Sequence, residues 1–204
     1  MKPLIASSGL GSRVRVIAQA LALGYDRVTW AINQHCPVEH RVIFPSGIDG
    51  LEIIDVKSSI HVDYTWREFP DGGGACVRSI FAAMQLPDFA PMQLGIHYRG
   101  WRFPRAGNFD AFVPAVMDAI ARYPDTIDIA MLADSHRDDL REVLGSRIIP
   151  CASKPLGYDL DRSPSDIRAF MLDWRRLLAC SEIVSNFPRS CILWPHKFLL
   201  GELS

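Results

Sequence analysis

The spacing of apolar residues changes several times along this chain, and each change marks an element. Leu4-Ile5-Ala6 is a short apolar run, followed by Ser7-Ser8-Gly9-Leu10-Gly11-Ser12-Arg13. Val14, Ile17, Ala18 and Leu21 then recur at helical spacing, and Gly24 is a natural stop for that helix. Arg27 to Ile32 reads as a strand. A strand, a tight turn, a helix and a strand in that order imply parallel strands with a right-handed crossover. The pattern from Asn33 to Phe89 is less regular. Val42 to Phe44 and Leu51 to Val56 read as short strands, and Val77 to Met84 as a helix. Asp71-Gly72-Gly73-Gly74 is a breaker, and the prolines at 87 and 91 bound a linker.

The second half alternates more cleanly. Gln93 to Arg99 reads as a strand. Phe109, Phe112, Val113, Val116, Met117 and Ile120 form one helical stripe, with Pro114 expected in its first turn or at a kink. Ile127 to Ala133 reads as a buried strand, Ser135 to Leu144 as a helix ended by Gly145, and Arg147 to Pro150 as a strand. Ser163-Pro164-Ser165-Asp166 has the signature of a helix start, and Ile167, Phe170, Met171, Trp174 and Leu178 give that helix its apolar face. Glu182 to Val184 is a last short strand, and Ser190 to Leu200 a terminal helix. Strands alternating with helices predict an α/β protein with parallel, doubly wound sheets.

Composition adds limits. The 204 residues are 49% hydrophobic and 22% charged, as in an ordinary globular chain with room for one large domain or two small ones. A net charge of -1 gives no global basic field for nucleic acid. The five cysteines (Cys36, Cys76, Cys151, Cys180 and Cys191) are odd in number and lack C-x-x-C spacing, which argues against a disulfide framework or zinc ribbon. Pro3 to Ala6 is too short for a signal peptide, and no run approaches the roughly 18 apolar residues of a membrane span. The expectation is a soluble, cytoplasmic protein with reduced thiols and no membrane span.

In open parallel sheets, ligands bind beyond the carboxyl ends of the strands. The residues at those ends are Gly9-Leu10-Gly11-Ser12-Arg13, then His97, Arg99 and Gly100, then Asp134 and Ser135, and finally Ser185, Asn186 and Phe187. Glycines let backbone amides approach phosphate, and arginine meets phosphate with two parallel hydrogen bonds. The first turn is not a dinucleotide fingerprint, because position 14 is valine and no acid closes the second strand. His97 and Arg99 share one strand face while Tyr98 points away. An arginine in an otherwise apolar strand calls for an anionic partner.

The ordered series Gly-x-Gly-x-Arg, His-x-Arg, Ala-Asp-Ser and Ser-x-Phe resembles the fucosyltransferase-like superfamily, which includes the nodulation, α1,6-, α1,2- and protein O-fucosyltransferases. The resemblance is best from about Gln93 to Phe187. It implies a compact GT-B architecture of two Rossmann-like lobes. Residues 1–89 would form the acceptor-side lobe and residues 90–204 the donor lobe. It also implies that Arg99 grips the donor diphosphate and His97 helps to hold the nucleotide. Gly9, Gly11 and Arg13 would border the phosphates, Asp134 and Ser135 would lie near base and ribose, and Ser185, Asn186 and Phe187 would close on the diphosphate. The sequence departs from the family pattern after His-x-Arg, where Gly100, Trp101, Arg102 and Phe103 follow, and after Ser-x-Phe, where Pro188 and Arg189 follow.

The expected reaction is inverting, metal-independent transfer of fucose or another hexose from a GDP- or UDP-linked donor to a hydroxyl of a glycan or other acceptor. Arg99 would stabilise the departing diphosphate. His35, Glu68 and Asp71 are the candidate general bases, with a solvated loop position as the plain reading of each. Trp101-Arg102-Phe103-Pro104-Arg105 would stack a base or sugar, or simply anchor a loop. Arg168, Arg175 and Arg176 read as a solvated helix flank; as a phosphate-tracking face they would instead suit a glycosyltransferase of modified DNA bases. A nucleotide-sugar-binding protein without transfer is the other alternative. A phosphotransferase is disfavoured because no Gly-Lys-Ser/Thr occurs.

Overall fold

The computed structural model describes residues 4–59, 73–100, 108–154 and 163–199. Chain contacts divide it into two units. The first holds residues 4–59, 73–87, 163–168 and 197–199, and the second holds 88–100, 108–154 and 169–196. The chain thus changes units close to the expected boundary after residue 89, but not in a single cut.

The first unit contains β1 (Leu4–Ala6), α1 (Leu10–Ala22), β2 (Arg27–Ile32), α2 (His40–Ile43), β3 (Glu52–Lys57) and α3 (Gly73–Ala83). Its three strands are parallel in the order β1-β2-β3, with Ala6 opposite Trp30 and Ile32 opposite Lys57. The apolar stripe of α1 buries Val14, Ile17 and Ala18 completely. Gly24, at φ +70°, ends α1. Its N–H bonds the Leu21 carbonyl at 3.1 Å and that of Tyr25 bonds Ala20 at 2.9 Å, so a left-handed residue satisfies the last helical carbonyls. The run Val42 to Phe44 is not the expected strand. Its first two residues fall in α2, where the Asp55 carboxylate accepts the His40 N–H at 3.0 Å and pairs with the His40 imidazole at 2.9 Å. Three apolar residues are too few to show a period, and this outside carboxylate fixes the turn.

The second unit contains β4 (Met92–Tyr98), α4 (Phe109–Ile120), β5 (Ile129–Ala133), α5 (Arg137–Leu144), most of α6 (Pro164–Leu178) and β6 (Cys180–Ser185). These strands are also parallel, in the order β5-β4-β6. Leu94, Ile96 and Tyr98 pack on one face with Phe112, Val116 and Ile120 of α4 and Leu140 and Leu144 of α5. Gly95 faces the other way, where an added Cβ would lie 2.7 Å from Leu177 of α6. The central strand is therefore covered on both faces, as its near-continuous apolar sequence demands. The start of α6 is as expected: the Ser163 hydroxyl accepts the Asp166 N–H at 3.1 Å, and Asp166 accepts the Ser163 N–H at 3.3 Å.

Two further expectations give way. Residues 147–150 make only a single parallel bridge, Ile129 to Ile148, because Gly145–Arg147 closes as a 3-10 turn and Pro150 has no N–H to extend a ladder. The final helix, α7 (His196–Leu199 among the described residues), starts only at His196, since Pro195 disfavours helical backbone at Trp194 before it. Of the two placements expected for Pro114, the first turn is excluded: it lies inside α4, on an exposed position.

Candidate functional site

β4 is followed in the chain by β5 on one side of it, and then by β6 on the other. The carboxyl ends of β4 and β6 therefore form a topological switch point, where open α/β sheets leave a crevice. His97 and Arg99 stand at the end of β4, and Ser185, Asn186 and Phe187 at the end of β6. Asp134 and Ser135 follow β5 next to them. Sequence order alone placed these residues at strand ends; the strand order brings them together.

Each of these residues has a definite task. The Ser185 hydroxyl accepts the Phe187 N–H at 3.0 Å, closing a local turn, and it also bonds His97 Nδ1 at 2.7 Å. The Asn186 amide acts as an extra rung of the sheet. Its Oδ1 accepts the Arg99 N–H at 2.8 Å, and its Nδ2 donates to the Arg99 carbonyl at 2.9 Å. The Asp134 carboxylate accepts the Gly100 N–H at 2.8 Å and the Ser135 hydroxyl at 3.2 Å, and its other oxygen lies 3.7 Å from Arg99 Nε. The Arg99 backbone is thus held by Asn186 and that of Gly100 by Asp134, while the Arg99 side chain retains 23% exposure. Asn186 and Asp134, expected at the ligand, also bond the backbone at Arg99 and Gly100.

His97 is 1% exposed. Burial, and then the neighbouring Arg99, push its pKa down to about 3. The ring is therefore neutral near pH 7 and offers hydrogen bonds rather than charge.

Gly100 completes this frame. A Cβ there would lie 2.7 Å from Tyr98 Cε1 and would also run into the Ser135 hydroxyl. Tyr98 is buried and edge-on to Phe109 at 5.4 Å, so its ring has little room to retreat. Gly100→Ala is expected to cost about 1–3 kcal/mol through overpacking. Urea unfolding measures this cost; a change within error would mean that the loop yields.

On the Tyr98 face, a groove of about 680 Å³ is lined by Tyr98, Phe109, Asp110, His136, Asp139 and Glu142, among others. His136 has a left-handed backbone (φ 53°), stacks on Phe109 at 4.4 Å and pairs with Asp139 at 2.7 Å. The size suits a small molecule, but the carboxylates oppose a diphosphate. Asp110 and Asp139 stand in first helical turns, where acids favour the helix dipole. Nothing in the local sequence pattern separated these residues from ordinary helix starts.

The remaining candidates belong elsewhere. Gly9, Gly11 and Arg13 are in the first unit. Nothing stands within 4 Å of where a Gly9 Cβ would be, so space alone does not require glycine there. Arg13 is wholly buried, and all five of its guanidinium N–H groups are used. They go to the Ala6, Ser7, Ser8 and Ala31 carbonyls and to Asn33 Oδ1. The guanidinium expected at a phosphate is the hub of the β1–α1 turn instead. His35 follows β2 in a turn, its N–H bonded to Asn33 Oδ1 at 2.9 Å. Glu68, Asp71 and the Trp101 to Arg105 segment lie outside the described residues. The expected basic flank is not a free solvated face. Arg168 donates to the Met84 carbonyl at 3.0 Å, Arg175 pairs with Asp88 at 3.4 Å, and Arg176 pairs with Asp173 and covers the Phe89 ring.

Among the described residues, no helix is long and apolar enough to cross a membrane. Compared with protein-family models, curated proteins and solved structures, the chain matches none.

Proposed function

We propose that the second unit binds the diphosphate of a GDP- or UDP-linked sugar at the β4–β6 switch point. We further infer that the chain is an inverting, metal-independent glycosyltransferase of the fucosyltransferase-like kind, with a two-lobed GT-B plan. The observation that carries this reading is Arg99, a cation at the switch point whose backbone is fixed by the Asn186 amide and whose neighbour Gly100 is fixed by Asp134. A cation on a fixed frame needs no reorganisation when charge develops on a leaving group.

In the proposed reaction an acceptor hydroxyl oxygen bonds to the anomeric carbon as the bond from that carbon to the diphosphate oxygen breaks. The hydroxyl proton passes to a general base, and the nucleoside diphosphate leaves with the bonding electrons. Arg99 offsets the charge on that leaving group. His97, being neutral, contributes a hydrogen-bonding wall to the nucleotide. His35 is the described candidate for the base, alongside Glu68 and Asp71. A second reading, nucleotide-sugar binding without transfer, draws support from Arg13, whose donors are all engaged within the first unit.

The test is a thermal-shift panel of GDP-, UDP- and ADP-sugars on wild type and Arg99→Ala. One nucleotide is expected to raise the wild-type Tm by several degrees, and the variant to lose that shift while keeping its ligand-free Tm within a few degrees. Absence of any shift would overturn the donor site. Release of free sugar or its transfer to an acceptor, measured next, separates an enzyme from a binder.

A further inference from the structure

The Asp134 carboxylate is 95% covered and sits 3.7 Å from Arg99 Nε. It cannot swing away without giving up the Gly100 N–H and the Ser135 hydroxyl. Of the residues that the strand ends bring together, Arg99 supplies one positive charge and Asp134 one negative charge. Ser135, Ser185, Asn186 and Phe187 are neutral, and the buried His97 ring is neutral near pH 7. This local set carries no net charge, an unexpected balance for a site that takes an anion.

The balance has a chemical consequence. In a sugar-capped diphosphate each phosphorus carries one ionised oxygen. Once the sugar has gone, the terminal phosphate gains a further ionisation with a pKa of about 6. A fixed carboxylate beside the gripping arginine disfavours that added charge more than it disfavours the capped form.

We propose that Asp134 is an affinity-limiting counter-ion of the diphosphate site: it cancels part of the Arg99 charge and so weakens retention of the free nucleoside diphosphate relative to the sugar-capped donor. This rests on the reading of Arg99 as the diphosphate grip, and it gives Asp134 a role opposite to that of a ribose ligand. Removing a ribose ligand weakens binding, whereas removing a counter-ion tightens it.

The experiment is titration calorimetry at low salt, with GDP and UDP and with their β-methyl esters, which cap the terminal charge without adding a sugar. Wild type is expected to bind capped and uncapped forms of its preferred nucleotide within about threefold. Asp134→Asn, whose amide oxygen can still accept the Gly100 N–H, is expected to bind the uncapped form about tenfold tighter and the capped form at most about threefold tighter. The uncapped form should also gain the steeper salt dependence. Weaker binding in the variant, or equal tightening of both forms, would overturn the proposal. If the variant does not fold, wild type decides alone: a preference of more than about tenfold for the uncapped form would overturn it. Failure of wild type to bind either nucleotide would remove the donor site itself. Wild-type binding without the variant's gain would remove only the role of Asp134.

Discussion

Arg13→Lys is expected to destabilise the protein by roughly 3 kcal/mol, although it preserves the charge. The arginine is fully buried with no carboxylate among its bonding partners. Its cost of burial is met by four carbonyls, the Asn33 side chain and the face of Trp30, whose ring centroid lies 4.9 Å away. Burial lowers its pKa, the direction expected of a cation held by dipoles alone. An ammonium carries three donors against five acceptors, so at least two of those acceptors would lose their bond to this side chain. They belong to residues at the ends of β1 and β2, the turn that starts α1, and a cooperative loss is expected. Urea unfolding followed by circular dichroism measures it. A side chain that merely offered charge to a phosphate would tolerate lysine, so a change below about 0.5 kcal/mol would refute the hub.

The second large effect is a pH dependence set by His97. Its folded pKa, about 3, lies below the ordinary 6.5, so the fold favours the neutral ring. The unfolded chain takes up a proton near pH 6.5 and the folded chain does not. The stability His97 contributes is therefore fully present above about pH 6.5 and is lost as pH falls toward 3, by up to about 1.4 kcal/mol per pH unit. His97→Gln, which keeps a donor and an acceptor but does not titrate, should remove that slope. The check is the difference between wild type and variant in urea unfolding at pH 7.0, 6.0, 5.0 and 4.5, a range chosen to limit carboxylate titration. A difference that stays flat across the range would mean the ring is hydrated or accepts its proton without cost. The same neutrality bears on the proposed function: His97 would add no charge to the proposed diphosphate site, which makes Arg99 the side chain to test there.

Much of the fold was legible because local patterns and burial agree. The extent of β2 followed from an apolar run, the stop of α1 from Gly24, and the start of α6 from the spacing of Ser163, Pro164 and Asp166. Patterns failed where a partner distant in sequence decided the outcome. Asp55 turned the run at Val42 into a helical turn, and the bridge at Ile148 is as much as the sheet accepts beside β5.

For the site, the order of residues already contains the inventory: a cation, a histidine, an acid, hydroxyls and an amide, each at or just beyond a strand end. It also determined that His97 and Arg99 share a strand face, since the period of two is built into extended backbone. The contacts those residues make came from the folded arrangement. Strand order β5-β4-β6 set Asn186 beside Arg99 and Asp134 beside Gly100, although they are remote in sequence. Burial then separated the two arginines that sequence had treated alike. Arg13 turned inward and used every donor on four backbone carbonyls and the Asn33 side chain, while the Arg99 side chain kept a path to solvent on a fixed frame. A guanidinium's role depends on which acceptors the fold places around it, and the spacing of residues along the chain does not contain that information.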